Sequence, residues 1–337
     1  MKTRLPKIEL HLHLDGAIPK RLFWELAQEK GVALPVDSYA AFEQWLVQTA
    51  DCRDVNAYLA RFELPLQLMQ DAGSIARVTR ELLLELAAQG HIYDEIRFAP
   101  QLHCRAGLSQ RGAIEAVLEG RAEALALLPD YDCGILLCAM SVGAASANME
   151  QNLETVRLAP DYLGRGVAGI DLAGAEGLVP LADFRPVFDL AKELGIPFTC
   201  HAGDSGGLES IASALSFGAV RLGHGHHIYD DPALCALAIE RGVTLEICPS
   251  SNIQCKTQPS YAAHPAKKLL ELGMRICIST DNMTLAAVTL DDEYRHCVTE
   301  MGFTEQDLRT MNRYAAEAAF LPEEKRRRLL TRLAAEA

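Results

Sequence analysis

VAGIDLAG (167–174), DFRPVFDLAKELG (183–195) and IPFTCHAG (196–203) follow one another closely in the chain. The outer two are short apolar runs with the length of strands, rich in Val, Ile, Leu and Phe, as strands buried on both faces should be. The middle piece repeats its apolar positions at three- and four-residue steps and stops at Gly195, which reads as an amphipathic helix. Strand, helix, strand in that order implies two parallel strands joined by a helical crossover.

The unit recurs on both sides. IELHLH (8–13), YDEIRFAP (93–100), CGILLCAM (133–140), VRLGHG (220–225), VTLEICPS (243–250) and MRICISTD (274–281) bring the apolar runs to eight, and PALCALAIERG (232–242) and PAKKLLELG (265–273) are further helical pieces. No Pro-rich linker, low-complexity stretch or charge block divides the 337 residues. An α/β fold of the (β/α)8 TIM-type barrel class is therefore expected over an open sheet, as one domain spanning 1–337. Residues 14–92 are too many for one crossover helix. A helical insertion after the first strand is expected there, with 38–70 forming a helical pair over the barrel mouth as a lid. Phe62 and Leu66, four apart, are its candidate apolar lining.

Hydrophobic residues make up 49% and charged residues 23%, the balance of a soluble protein with a sizeable core. The net charge of −13 disfavours a duplex nucleic-acid binder. No basic N-terminal segment leads into an apolar stretch, and no run of eighteen apolar residues occurs, so a cytoplasmic protein without membrane contact is expected. Ten cysteines show no C-x-x-C spacing, and several, such as Cys138, Cys248 and Cys277, sit inside apolar runs. They read as buried thiols in a reducing compartment. Nothing in the sequence fixes an oligomeric state.

Polar residues gather at the C-terminal ends of the runs, where a barrel places its chemistry. The first ends His11-Leu12-His13, and alternation along a strand turns both imidazoles to one face. The fifth ends at His201 with Asp204 just beyond, the sixth carries His224, and the eighth ends Asp281-Asn282. Three imidazoles and a carboxylate suit one borderline-soft ion with room for a water, whose pKa the ion would lower toward ~7. Zinc is the expected ion, and iron, cobalt or manganese would also be held. His224 is then a candidate base or charge stabiliser and Asp204 a candidate proton donor. The cytidine-type deaminase signature, H-x-E followed by P-C-x-x-C, is absent.

KIELHLHLDGAI (7–18), IDLAGAE (170–176), HAGDSGGLESI (201–211), RLGHGHH (221–227), CPSSNIQ (248–254), AHPAKKLLELG (263–273) and STDN (279–282) resemble, in order and spacing, the adenosine deaminase family. The resemblance spans nearly the whole chain. It implies His11, His13, His201 and Asp281 as metal ligands, and Asp204, His224 and Asp281 as catalytic residues. His13, Asp15, Gly174 and Asn282 are implied as substrate-facing, with Asp15 at a ribose and Gly174 bringing its backbone to the purine edge. The implied reaction is hydrolytic deamination of adenosine or 2′-deoxyadenosine to the inosine product and ammonia. The partner is then a small-molecule purine nucleoside. Deamination of adenine or of a modified adenosine such as aminodeoxyfutalosine, and non-catalytic purine binding, are the alternatives.

Two positions depart from the family pattern. HAGD replaces the usual HAGE, so Asp204 is one methylene shorter than the expected acid. Asn282 replaces a second aspartate, and its amide can donate to a ring nitrogen at any pH, whereas a carboxyl must first be protonated. Glu209 is an alternative acid but reads better as a first-turn helix carboxylate. His226 and His227 read as loop or supporting residues. His103 lies at a strand end where it could line a pocket.

Overall fold

The structure is a computed structural model describing residues 5–335. Its strands are β1 (Lys7–His13), β2 (His91–Phe98), β3 (Asp132–Ser141), β4 (Val167–Gly174), β5 (His201–Ala202), β6 (Arg221–His224), β7 (Thr244–Ile247) and β8 (Arg275–Ile278). All pair in parallel, β1 to β4 in sequence order and β5 to β8 likewise. Parallel bridges join the two halves at both seams, Ile170 with Phe198 and Leu12 with Asp281. The strands therefore close into the expected (β/α)8 barrel. The fifth run is strand only over its last residues. Pro197 has no N–H to give the ladder, and the contact before His201 rests on Ile170 N donating to Pro197 O and Thr199 N to Ile170 O.

Between strands lie α1 (Lys20–Lys30), α2 (Tyr39–Gln48), α3 (Val55–Leu59), α4 (Glu63–Leu68), α5 (Ala72–Ala88), α6 (Gln110–Leu125), α7 (Met149–Leu158), α8 (Arg185–Glu193) and α9 (Gly207–Phe217). They continue with α10 (Pro232–Glu240), α11 (Pro249–Gln254), α12 (Ala266–Glu271), α13 (Leu290–Thr299), α14 (Glu305–Ala318) and α15 (Glu323–Ala335). Where the sequence suggests a helical pair over 38–70, the chain forms three short helices and a 3-10 turn at Ala60–Phe62. The Asp54 carboxylate accepts from Ala57 N and starts a new helix, which divides the segment.

The barrel wall has two chemistries. Ile96, Phe98, Ile135 and Leu137 pack outward with Ile75, Val78, Leu82 and Val117 of the surrounding helices. Alternate residues on the other face carry charge. Arg97 donates to Asp171 Oδ2 and Glu246 Oε2, each at 2.7 Å, and Arg221 donates to Glu246 Oε1 at 2.7 Å and lies 2.6 Å from Glu95 Oε2. All five side chains are fully buried. Burial works to raise the Glu246 carboxyl, but Arg97, Arg221 and the bond from His11 outweigh it and hold it well below the usual range. Stripping one member from such a network is costly because its partners stay buried and unpaired.

Candidate active site

The seam between β1 and β8 gathers the first side chains. His13 N donates to Asp281 O at 2.8 Å, and Asp281 N donates to His11 O at 3.0 Å, so barrel closure itself sets these three residues side by side. Pairing of β5 with β6 places His201 opposite Gly223. A Cβ on Gly223 would lie 3.0 Å from His11 Cε1, so the missing side chain makes room for that ring. Asp281 and His224 both take left-handed backbone conformations, with φ of 64° and 62°. Such conformations cost ~1–3 kcal/mol in non-glycine residues and gather at functional sites.

One ligand atom from each of His11, His13, His201 and Asp281 lies within 4.8 Å of the others. His13 Nε2 and His201 Nε2 are 3.3 Å apart, and His11 Nε2 and His13 Nε2 are each 3.4 Å from Asp281 Oδ1. The far side of the set is anchored. His11 Nδ1 is bonded to Glu246 Oε2 at 2.9 Å, and the Ser251 hydroxyl donates to Asp281 Oδ2 at 2.6 Å. His201 Nδ1 lies 2.9 Å from Asp171 Oδ2, off the line of a straight N–H···O bond. Carboxylates behind imidazoles fix the ring orientation of metal-binding histidines.

This set fits a divalent cation on its own observations. His11 Nε2 is buried and has no hydrogen-bond partner, although its ring points at the cluster. Burial pushes His11 and His13 below the usual imidazole range, which favours the neutral, ligating form. Two buried guanidiniums pair with three carboxylates, Glu95, Asp171 and Glu246, and Asp281 adds a fourth among the histidines, an excess of carboxylates that suits a cation.

Beside the cluster, Asp204 Oδ1 accepts from Asn252 Nδ2 at 2.8 Å and Thr257 Oγ1 at 2.7 Å. His224 Nδ1 lies 3.0 Å from the same Asn252 amide nitrogen. Glu176 pins the loop after β5, accepting from Gly203 N, Asp204 N and Ser205 N at 2.6, 2.9 and 3.1 Å. A cavity of about 350 Å³ adjoins these groups, with His13, His201, Asp204, His224 and Asp281 in its lining. Asp15, Gly174 and Asn282 line it as well. Burial lifts the Asp15 carboxyl to about 6. Gly174 has φ +109°, and a Cβ there would lie 2.5 Å from Ser141 O, so the backbone reaches the cavity bare.

The sequence profile described as adenosine deaminase matches residues 6–336. The chain is 37% identical over 329 residues to the adenosine deaminase of Haemophilus ducreyi, covering 97% of this chain and 95% of that one. The chain belongs to the adenosine deaminase family. Among solved structures, an Arabidopsis N6-mAMP deaminase superposes with a TM-score of 0.86 at 27% identity, covering 98% of both chains. The adenine deaminase of Arthrobacter aurescens shares the fold at TM-score 0.86 and 24% identity, over 98% of this chain and 99% of that one.

Against the adenosine deaminase pattern, the remaining candidates separate cleanly. Phe62 and Leu66 line the cavity, and the Phe62 ring sits 6.4 Å from that of His13. Glu209 lies in the first turn of α9 and is not among the lining residues. His103 bonds Met69 O at 2.8 Å and does not line the cavity either. His226 is buried against the His227 and His264 rings, and His227 bonds Asp230 at 3.0 Å. Sequence reasoning passed over Arg97, Asp171, Glu246, Ser251, Asn252 and Glu176. For the first three a signal exists: each is a charge set between apolar neighbours inside a strand-like run, in IRF, IDL and LEI.

Proposed function

We propose that this chain deaminates adenosine and 2′-deoxyadenosine hydrolytically, giving inosine or 2′-deoxyinosine and ammonia. The observation that carries it is one cavity with four converging ligand atoms and, next to them, a carboxyl and an imidazole that the ligands do not use. The named activity of the Haemophilus relative agrees. A volume near 350 Å³ is within the range of small-molecule sites.

His11, His13, His201 and Asp281 would hold one zinc ion per chain. When bound, the ion polarises a water and supplies its ionised form near neutral pH. The chain's own residues do the rest. Asp204 gives a proton to purine N1, which makes C6 electrophilic. His224 faces the attacking water, and Asp281 shares the proton that water releases. C6 becomes tetrahedral; the amino group takes the proton held by Asp281 and leaves as ammonia, and the C6 hydroxyl returns a proton to Asp204. Gly174 lets the backbone approach the ring edge, Asn282 donates its amide to N7, and Asp15 meets the ribose.

We read the chain as one barrel domain, with 38–70 forming the lid above the cavity. No helix among the described residues is long and apolar enough to cross a membrane. Ten free cysteines, nine of them buried, suit the reducing cytoplasm.

The test is a panel of adenosine, 2′-deoxyadenosine, adenine, adenosine monophosphate and N6-methyl-adenosine monophosphate incubated with zinc-loaded protein, with ammonia measured. Nucleosides are expected to give the highest kcat/KM. A preference for adenine or for a monophosphate would replace the substrate, and no ammonia from any of them would remove the activity.

A further inference from the structure

Asn252 touches three functional neighbours, and their donor and acceptor roles can be solved in sequence. Ala266 N, the first backbone amide of α12, donates to His264 Nδ1 at 3.2 Å. That nitrogen must carry a lone pair, so the proton of the neutral ring is on Nε2. Burial keeps the His264 ring neutral, its pKa pushed down to about 3. His264 Nε2 therefore donates to Asn252 Oδ1, 3.2 Å away. Turning the Asn252 amide over would set two donors against each other at His264 and two oxygens against each other at Asp204, so its orientation is fixed as well. Asn252 Nδ2 then spends one hydrogen on Asp204 Oδ1 at 2.8 Å and the other on His224 Nδ1 at 3.0 Å.

From this chain we infer that Asn252, held by His264, is a positioning residue that locks His224 in its Nε2–H tautomer. This rests on the deaminase assignment of the site. With Nδ1 accepting from Asn252, the ring proton sits on Nε2, so His224 presents a donor to the cavity and no lone pair there. His224 acts by donating its Nε2–H to the oxygen that attacks C6. The same amide fixes the face of Asp204, since both of its protein donors fall on Oδ1 and leave Oδ2 to carry the proton. Asn252 is fully buried and the His264 ring nearly so, which keeps water from replacing either bond.

The test combines a spectrum with a kinetic split. In zinc-loaded protein carrying 15N-labelled histidine, with His224 assigned through a His224→Gln variant, Nε2 should be protonated and Nδ1 should show the shift of a bare, hydrogen-bonded nitrogen. Asn252→Asp replaces the donor with an acceptor and should move the proton to Nδ1. Its kcat on adenosine should fall by about 10²–10³-fold, the usual loss of one preorganised donor, with KM within about threefold and zinc content unchanged. A protonated Nδ1 with a bare Nε2 in the parent overturns the inference, and so does Asn252→Asp with parental kcat. A folding role alone would lower thermal stability without moving the tautomer. Should the parent release no ammonia from adenosine, the deaminase assignment fails, and the parent spectrum still decides the tautomer.

Discussion

Glu246→Gln changes one oxygen into an amide nitrogen at the centre of the barrel. Each Glu246 oxygen accepts two donors: Oε2 takes His11 Nδ1 and Arg97, and Oε1 takes Arg221 Nε and Thr199 Oγ1, all at 2.7–2.9 Å. Whichever way the amide turns, its NH2 faces two donors that had an acceptor. Hydrogen bonds to charged groups contribute ~1.5–3 kcal/mol each, and breaking a buried charged pair from one side costs ~3–5 kcal/mol. Arg97 keeps Asp171 and Arg221 keeps Glu95, so the lower half of that range applies, about 3 kcal/mol. The second effect is on the cation. The buried network loses one negative charge beside the cation site, and His11 loses the carboxylate that orients it. Supporting groups of this kind typically account for ~10–100-fold in metal affinity. Chemical unfolding of the metal-free protein measures the first effect, and competition with a chromophoric chelator measures the second. A variant with parental stability and parental metal Kd would refute the assignment of Glu246 as the group that joins the charged core to the ligand set.

Three further outcomes follow from the same geometry. Asp204→Asn should lower kcat by about 10²–10⁴-fold, the usual contribution of a general acid, while Asp204→Glu keeps or raises activity. Parental activity in Asp204→Asn would exclude Asp204 as the proton donor. Glu293 is buried, and burial lifts its carboxyl from 4.5 to about 8. The folded state thus holds this proton more tightly than the unfolded chain. Its contribution to stability is full below pH ~4.5 and is lost as pH rises through 8, by roughly 2–5 kcal/mol. Urea unfolding across that window should show Glu293→Gln with a flatter pH slope than the parent, and equal slopes would contradict the assigned shift.

Much of the barrel was legible because strands buried on both faces announce themselves as apolar runs, and crossover helices as apolar positions at three- and four-residue steps. The cluster of candidate ligands was legible for a related reason. His11, His13, His201 and Asp281 stand at strand ends, where a polar residue has no place in the core unless it has work to do. The supporting layer was harder to see. Glu246 and Asp171 sit mid-strand, and only the closed barrel shows that they reach His11, Arg97 and Arg221 from other strands. Asn252 was invisible for a different reason. It belongs to α11, and its three partners come from the loop after β5, the end of β6 and the turn just before α12. Residues 38–70 kept their helical character but not the expected pairing, since Asp54 starts a new helix that periodicity does not reveal.

The most direct measurement is reconstitution of chelator-stripped protein with zinc, following ammonia release from adenosine against equivalents added. Activity should rise linearly and break at one ion per chain, and His11→Ala should show neither the rise nor the break. Activity that survives stripping, or that His11→Ala recovers in full, would contradict a deaminase built on His11, His13, His201 and Asp281.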